Sequence, residues 1–392
     1  MSSIIIQHFG AIKECNTPIE IKKVTFFIGN QGSGKSTVAK LIATFMWIEK
    51  ALVKESYNPQ WFEKNDIFKK LFLSYHRLEN YLKENSYIQY IGDVFIVTYT
   101  NGQLSFEKRA QEYSLPQIMY VPSERNFISY MKSIKELKVA SPALNDFLAT
   151  YTYAKEKVTE IPLPINDSYL LYDKNRDIFY VKGEEYKVQL SESSSGFQSL
   201  VPLYLVSDYL VNSVKTKTEP MSIEERKLFE KQIKEIYDNP HFTDEQRRSA
   251  ANALSGKFNK TSFVNIVEEP EQNLFPTSQR DMLYSLLKIN NEIVDNKLII
   301  TTHSPYLVNY VSVAVEAGKL KQGVTAEKEE QLNKIVPISS VVNSDDLAIY
   351  QLNEKGSVEL LESYEGIPSD ENFLNDEIGR TNELFADLLD LQ

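Results

Sequence analysis

Gly29, Gly34, Lys35 and Ser36 stand at the spacing G-x-x-x-x-G-K-[ST], with a further glycine, Gly32, inside the loop. Glycines let backbone N–H groups close around phosphate oxygens. A helix opening from the loop turns its positive end toward them. Lysine reaches the outer phosphates, and the serine hydroxyl is placed to ligate Mg²⁺. The flanks supply the context this chemistry needs: apolar VTFFI before the loop and a helix-like pattern after it. About 230 residues later, VNIVEEPEQNLFP places Glu268 and Glu269 after the strand-like run Val264 to Val267. Adjacent carboxylates at the end of a buried strand repel each other and need a cation or water between them. One can hold a Mg²⁺ shell while the other orients or deprotonates an attacking water. A solvated acidic turn is the plainer reading, and the glycine loop tips the balance toward chemistry.

LIITTHSPYL sets His303 at the end of another buried strand, with Ser304–Pro305 opening a helix. An imidazole there can touch a terminal phosphate directly or through water. SESSSGFQSL is a polar helix start in which Ser194, Ser195 and the Gly196 backbone can accept an anion. Alone it reads as an ordinary serine N-cap. Its weight comes from the order: glycine loop, serine–glycine helix start, paired acids, histidine.

These residues need elements to hold them. Residues 3–8 and 19–28 read as strands, and Thr37–Lys50 as a helix. Residues 64–84 read as helical on the spacing of Ile67, Leu71, Leu78 and Leu82. YIQYIGDVFIVTYTNGQLSFEK follows as strands turning at Asn101–Gly102. QIMYV is a short buried-type strand. Residues 127–158 read as helical, interrupted near Pro142, and SYLLYDKNRDIFYVKGEEYKVQL as a strand meander. Residues 222–256 read as two helices, with capping boxes at Ser222/Glu225 and Thr243/Gln246 and a C-cap at Gly256. SFVNIV and KLIITT are continuous apolar strands, as in a parallel sheet covered on both faces, with a helix over 277–291 between them. More strands lie in 335–361, and the chain closes on an acidic amphipathic helix. The expected class is α/β with insertions.

The 392 residues are 42% apolar and 25% charged, a globular balance. No apolar run reaches membrane-spanning length, and MSSIIIQHFGAIKE lacks the basic start of a signal peptide. The one cysteine allows no internal disulfide and fits a reducing cytosol, so a cytoplasmic location is expected. With four scattered histidines it builds no zinc spacing. A net charge of −11 argues against coating nucleic acid by bulk charge.

The motif order resembles the ABC-type ATPase head. More closely, it resembles the RecF-like, SMC-like and OLD-family ATPases and the predicted AAA-type ATPases of bacterial abortive-infection and phage-defence systems. The motifs run from Ile4 to about Tyr310. The resemblance implies a P-loop NTPase fold with a mixed or parallel central sheet, N-terminal antiparallel strands and helical insertions. It implies that Gly29, Asn30, Gln31, Gly32, Ser33, Gly34, Lys35, Ser36 and Thr37 form Walker A. Ser194, Ser195, Gly196 and Gln198 would belong to the ABC signature. Ser36 and Glu268 would hold Mg²⁺, and Glu269, His303 and Lys35 would be catalytic on ATP. EQNLFP would be the D-loop region. Three positions depart from the pattern. Glu268 stands where aspartate is usual, Ser123 where the transporter Q-loop has glutamine, and Ser195 where transporters have glycine, with Phe197 beside it. PSER would lie near the nucleotide, with Arg125 reading equally as a phosphate or partner contact and as a surface ion pair.

The implied layout is a single head over 1–392. It has an insertion at 50–115, a helical segment at 127–160, and a lobe at 190–315 carrying signature, acids and histidine with a further insertion at 215–258. A C-terminal part spans 316–392. The two insertions carry no family motif and are expected as surface lobes for partners. The function expected is an ATPase that dimerises around ATP and switches a separate effector, such as a nuclease. No D-x-D nuclease motif follows residue 310 and no sustained heptads appear. The competing readings are a RecF-type DNA-repair ATPase and a nucleotide-binding scaffold with little hydrolysis. Phosphate release separates the scaffold from the ATPase, and salt-sensitive DNA affinity marks the repair enzyme.

Overall fold

A strand can be apolar at every position only when both faces are covered. Val24–Gly29 (β4) and Ser262–Glu268 (β13) are buried along their whole length, and Lys297–Thr302 (β14) at all but its first residue. In the computed structural model they lie side by side at the centre of a seven-stranded sheet. The structure describes residues 2–15, 17–62, 66–131, 141–217, 223–240, 242–243, 245–248, 250–251, 254 and 259–391. With Glu14–Cys15 (β2), Pro116–Val121 (β8), Leu347–Leu352 (β15) and Ser357–Leu360 (β16), the order is β2–β16–β15–β4–β14–β13–β8. The five strands from β15 to β8 run parallel, and β16 returns antiparallel beside β15. Ile300 of β14 pairs with Phe26 of β4 and with Val267 of β13. The same-direction ends of these strands therefore deliver Gly29, Thr302–His303 and Glu268 as neighbours.

One face of the sheet is covered by helix Lys35–Val53 (α1) and a five-stranded antiparallel sheet. That second sheet holds Ser2–Phe9 (β1), Ile19–Ile21 (β3), Leu82–Ile91 (β5), Phe95–Thr100 (β6) and Gln103–Lys108 (β7). Ile4, Phe27, Ile42, Phe45, Ile88 and Ile266 pack there in one apolar cluster. The opposite face carries Pro142–Lys157 (α3), Ser195–Thr216 (α4), Pro276–Asn291 (α6) and Pro305–Lys321 (α7), packed on Phe26, Ile28, Val267 and Ile300. A single helical turn, Pro59–Phe62, is α2, and Ile223–Tyr237 is α5. Each fully buried Phe or Ile in these layers contributes about 1.5–3 kcal/mol. Glu160–Pro162, Tyr169–Asp173, Ile178–Lys182 and Lys187–Gln189 (β9–β12) form the expected meander, which sends Leu170 and Val181 into the second layer. The protein is an α/β fold with a mixed central sheet. Among the described residues no helix is long and apolar enough to cross a membrane.

Several expectations shift. The run 19–28 is two strands in two sheets, parted at Lys22–Lys23, where Thr25 Oγ1 accepts from the Lys22 N–H at 3.0 Å. Where 64–84 is described, it is not one helix. Phe68–Leu73 is a π-helix and Leu82 already starts β5. The wider turn buries Phe68, Phe72 and Leu73 and leaves Leu71 exposed, so the 3.6-residue period fails there. Within 50–115, β5–β7 extend the sheet begun by β1 and so complete a core layer. At 100–103 the expected hairpin forms, with Asn101 and Gly102 both at positive φ. Where 127–158 is described, it is a 3₁₀ stretch, Ser123–Tyr130, and then α3, which Pro142 opens rather than interrupts. The Thr243/Gln246 capping box is present, its two reciprocal bonds 2.9 and 3.3 Å long. Ser222 and Gly256 lie outside the described residues. Beyond α7, Ala326–Ile335 is α8. The acidic C-terminal helix is Phe373–Leu389 (α9), which buries only Leu374.

Candidate functional site

The loop after β4 is shaped by where its glycines sit. Gly29 has φ +141° and pairs in register with Leu352 of β15, and a Cβ there would lie 2.2 Å from the Leu352 carbonyl oxygen. Gly34 at φ +105° turns the chain into α1, whose first residues are Lys35 and Ser36. Lys35 is buried, and its ammonium donates to Gly29 O at 2.7 Å and Asn30 O at 2.8 Å. Burial lowers its pKa to about 8, against the raising pull of Glu269, Glu271 and Glu268. Val38 N donates to Gly34 O, so Ser36 and Thr37 stand in the first helical turn. Ser33 Oγ is buried without a hydrogen-bond partner, and above Gly32 the space is open.

β13 and β14 bring the acids and the histidine to this loop. Glu268 is buried. Its Oε2 accepts from Ser123 N at 3.2 Å, and its Oε1 has no hydrogen-bond partner among the described residues. The Tyr120 hydroxyl lies beside the same carboxyl, outside hydrogen-bond geometry, and is pushed well above its usual value by burial and then by Glu268. Glu269 leaves the strand at φ +44°, a left-handed conformation that is strained for a side chain of this size. Its N–H still donates to Thr301 O. Its carboxylate Oε1 lies 3.3 Å from His303 Nε2, and its Oε2 accepts from Gln272 Nε2 at 2.9 Å. The hydrogen bond from His303 is the largest influence holding the Glu269 carboxyl down at about 2. Burial opposes it, and Gln272 and Lys35 assist.

His303 Nδ1 lies 3.3 Å from Lys35 Nζ. An ammonium only donates, so Nδ1 accepts and the ring proton sits on Nε2, facing Glu269. The result is a continuous line, Lys35–His303–Glu269, across three adjacent strands. Glu271, which does not stand out in the sequence, fixes the histidine. Its Oε1 accepts from His303 N and from Thr302 Oγ1, both at 2.7 Å, and burial pushes its carboxyl up. Its only sequence signal is a third acid in EEPEQ.

A cavity of about 810 Å³ opens beside the loop, lined by Gly29, Asn30, Gln31 and His303 and, from α9, by Glu377 and Ile378. None of Ser194, Ser195, Gly196 or Gln198 lines it. Ser194 and Ser195 are exposed at the start of α4, and Ser194 makes no side-chain cap bond. Gly196 packs on Asn273, so closely that a Cβ added to it would lie 3.1 Å from the Asn273 carbonyl oxygen. Gln198 points inward and donates to Ser191 O at 3.2 Å and Ser193 O at 2.9 Å. Arg125 departs from both sequence readings. It is fully buried and meets neither solvent nor a surface acid. Its guanidinium donates to Glu268 O and Glu269 O at 2.6 Å each, and to Pro122 O and Ser199 O at 3.2 Å each.

The donor set fits a magnesium nucleotide. The groups that would hold it are an unpartnered buried carboxylate oxygen on Glu268, whose charge acts on Lys35, and Ser36 in the first helical turn after the glycine loop. No protein-family model matches the chain, and no curated protein matches it. Solved structures do. The SMC head domain from Thermotoga maritima is 11% identical, with 92% of this chain and 98% of that chain covered and a TM-score of 0.37. A nucleotide-free ATP-binding cassette from an ABC transporter is 11% identical, with 94% of each chain covered and a TM-score of 0.32. A dimeric ATP-binding cassette in a post-hydrolysis state, bound to ADP and phosphate, is 11% identical, with 92% and 100% covered and a TM-score of 0.28. At this level of likeness the site's own geometry carries the functional reading.

Proposed function

We propose that this chain is an ABC-type ATPase head that binds Mg-ATP at the glycine loop and hydrolyses it, working as a pair of identical chains. The observation that carries the reading is the line Lys35–His303–Glu269 across the ends of three adjacent parallel strands, with Glu268 beside it. Lys35 holds the outer phosphates as a point charge. Glu269 is ionised over the physiological range and accepts a proton from the attacking water. His303, oriented by Glu271, keeps that carboxylate in place and reaches toward the terminal phosphate. Mg²⁺, held by Ser36 and Glu268 when bound, neutralises charge on the phosphate oxygens. Ser194, Ser195 and the Gly196 backbone lie away from the chain's own cavity. They supply a helix N-terminus to a second copy's nucleotide. On the motif resemblance, the pair acts on a separate effector, such as a nuclease, in a cytoplasmic bacterial anti-phage system. Phosphate release from purified chain with Mg-ATP tests the enzyme, with Glu269→Gln as the control. Equal release from both proteins would show that Glu269 is not the base.

A further inference from the structure

Arg125 sits where a buried cation is costly, and every hydrogen bond its guanidinium makes among the described residues goes to a main-chain carbonyl. Two of those carbonyls belong to the acid pair, Glu268 and Glu269, at the end of β13. A third, Ser199 O, lies at the beginning of the second turn of α4, three residues after Gly196. The reason α4 offers carbonyls there is in its sequence. Pro202 has no N–H, so the carbonyl four residues earlier, Gln198 O, loses its helical partner, and the ring tilts neighbouring carbonyls outward. Ser129 Oγ donates to Gln198 O at 2.9 Å, and Arg125 Nε donates to Ser199 O at 3.2 Å. Both donors stand on the 3₁₀ stretch Ser123–Tyr130, whose first N–H also holds the Glu268 carboxylate. From the other side, Asn273 Nδ2 donates to Ser199 Oγ at 2.8 Å.

We propose that Arg125 is a positioning residue that ties the N-terminal part of α4, at Ser199, to the Glu268–Glu269 backbone, so that one side chain sets both functional halves of the chain. The inference rests on the composite ATPase site above. In such a pair a chain's acids serve its own nucleotide, whereas its α4 start serves its partner's. Arg125 touches both, so the state of one site is felt at the other through a single planar fork. It also holds the Glu269 carbonyl of a residue strained at φ +44°. Lysine cannot replace it, because one ammonium cannot reach three carbonyls in the guanidinium geometry.

The test separates a coupling role from local support. Lys35→Ala damages a chain's own site, and Ser194→Arg damages its partner's, so mixing the two leaves one intact site and restores ATPase activity. Arg125→Lys is expected to bind a fluorescent ATP analogue within about threefold of wild type while kcat falls about tenfold or more. Mixed with Lys35→Ala or with Ser194→Arg, it is expected to restore nothing, because it spoils both kinds of site. Recovery in either mixture to the level of the Lys35→Ala/Ser194→Arg control overturns the coupling. A control mixture that stays dead sinks the composite site instead. Turnover of Arg125→Lys alone then decides on Arg125, and a kcat within about twofold of wild type overturns the proposal. If Arg125→Lys does not fold, Arg125→Gln, whose amide still donates to main-chain carbonyls, takes its place in the same comparisons with the same expected outcomes.

Discussion

In the proposed site Lys35 and Glu269 have different duties, and their surroundings disfavour the charged form of the lysine and favour that of the glutamate. Burial brings the lysine down to about 8, so in the free protein its ammonium is charged below that pH and lost above it. Charge is what holds the outer phosphates. ATP affinity is therefore expected to fall as pH rises through about 8, seen as an alkaline limb in kcat/KM. Glu269, held down at about 2, is ionised throughout and adds no acid limb in the same range. Lys35→Ala is expected to abolish tight ATP binding, and unchanged affinity of the folded variant by titration would remove the loop assignment. Glu269→Gln keeps the shape and the contact with His303 but loses the base. It should bind Mg-ATP and turn over about 10²–10⁴-fold more slowly. Both residues are legible in the sequence, because their chemistry requires short local patterns. Arg125 is not. Its acceptors lie 74 and about 143 residues away along the chain, and nothing in PSERN announces burial.

Elements were legible where one layer decides them. β4, β13 and β14 declare themselves by unbroken apolar runs, and the register between them follows from a parallel sheet covered on both faces. Elements decided by distant partners were not. Ile19–Ile21 leaves the line of β4 to pair with β1, while Tyr350 OH, 330 residues on, accepts from Glu20 N at 2.7 Å. The π-helix at Phe68–Leu73 breaks the helical period because Phe62, Phe68 and Phe72 are drawn into the aromatic packing over α1. The junction of β4 with its loop depends on one missing methyl group. Gly29→Ala would drive a Cβ into the Leu352 carbonyl at a φ that L-residues avoid, so either β15 or the loop must move. A loss of about 2–4 kcal/mol is expected, together with ATP binding. A variant with the wild-type thermal midpoint and affinity would show that the loop can relax without harm.

At the scale of the whole molecule, each chain holds one glycine loop and one exposed serine start on α4, and that start does not line the cavity beside the loop. The symmetric head-to-tail pair proposed above would unite them twice and is the smallest closed assembly that leaves no half-site unused. In the proposed pair ATP would stand between the two chains, and removal of the phosphate they share would loosen it. Glu269→Gln, which binds without turning over, should pass from monomer to dimer in sedimentation when Mg-ATP is added. Adding Ser194→Arg to the same chain should hold it monomeric, since a guanidinium-tipped side chain blocks the helix start without touching its own loop. Wild-type specific activity should rise with protein concentration and level off as pairs fill. A Glu269→Gln chain that stays monomeric with Mg-ATP, beside a wild type whose specific activity is independent of concentration, would place the whole reaction inside one chain and leave the serine start of α4 as an ordinary cap.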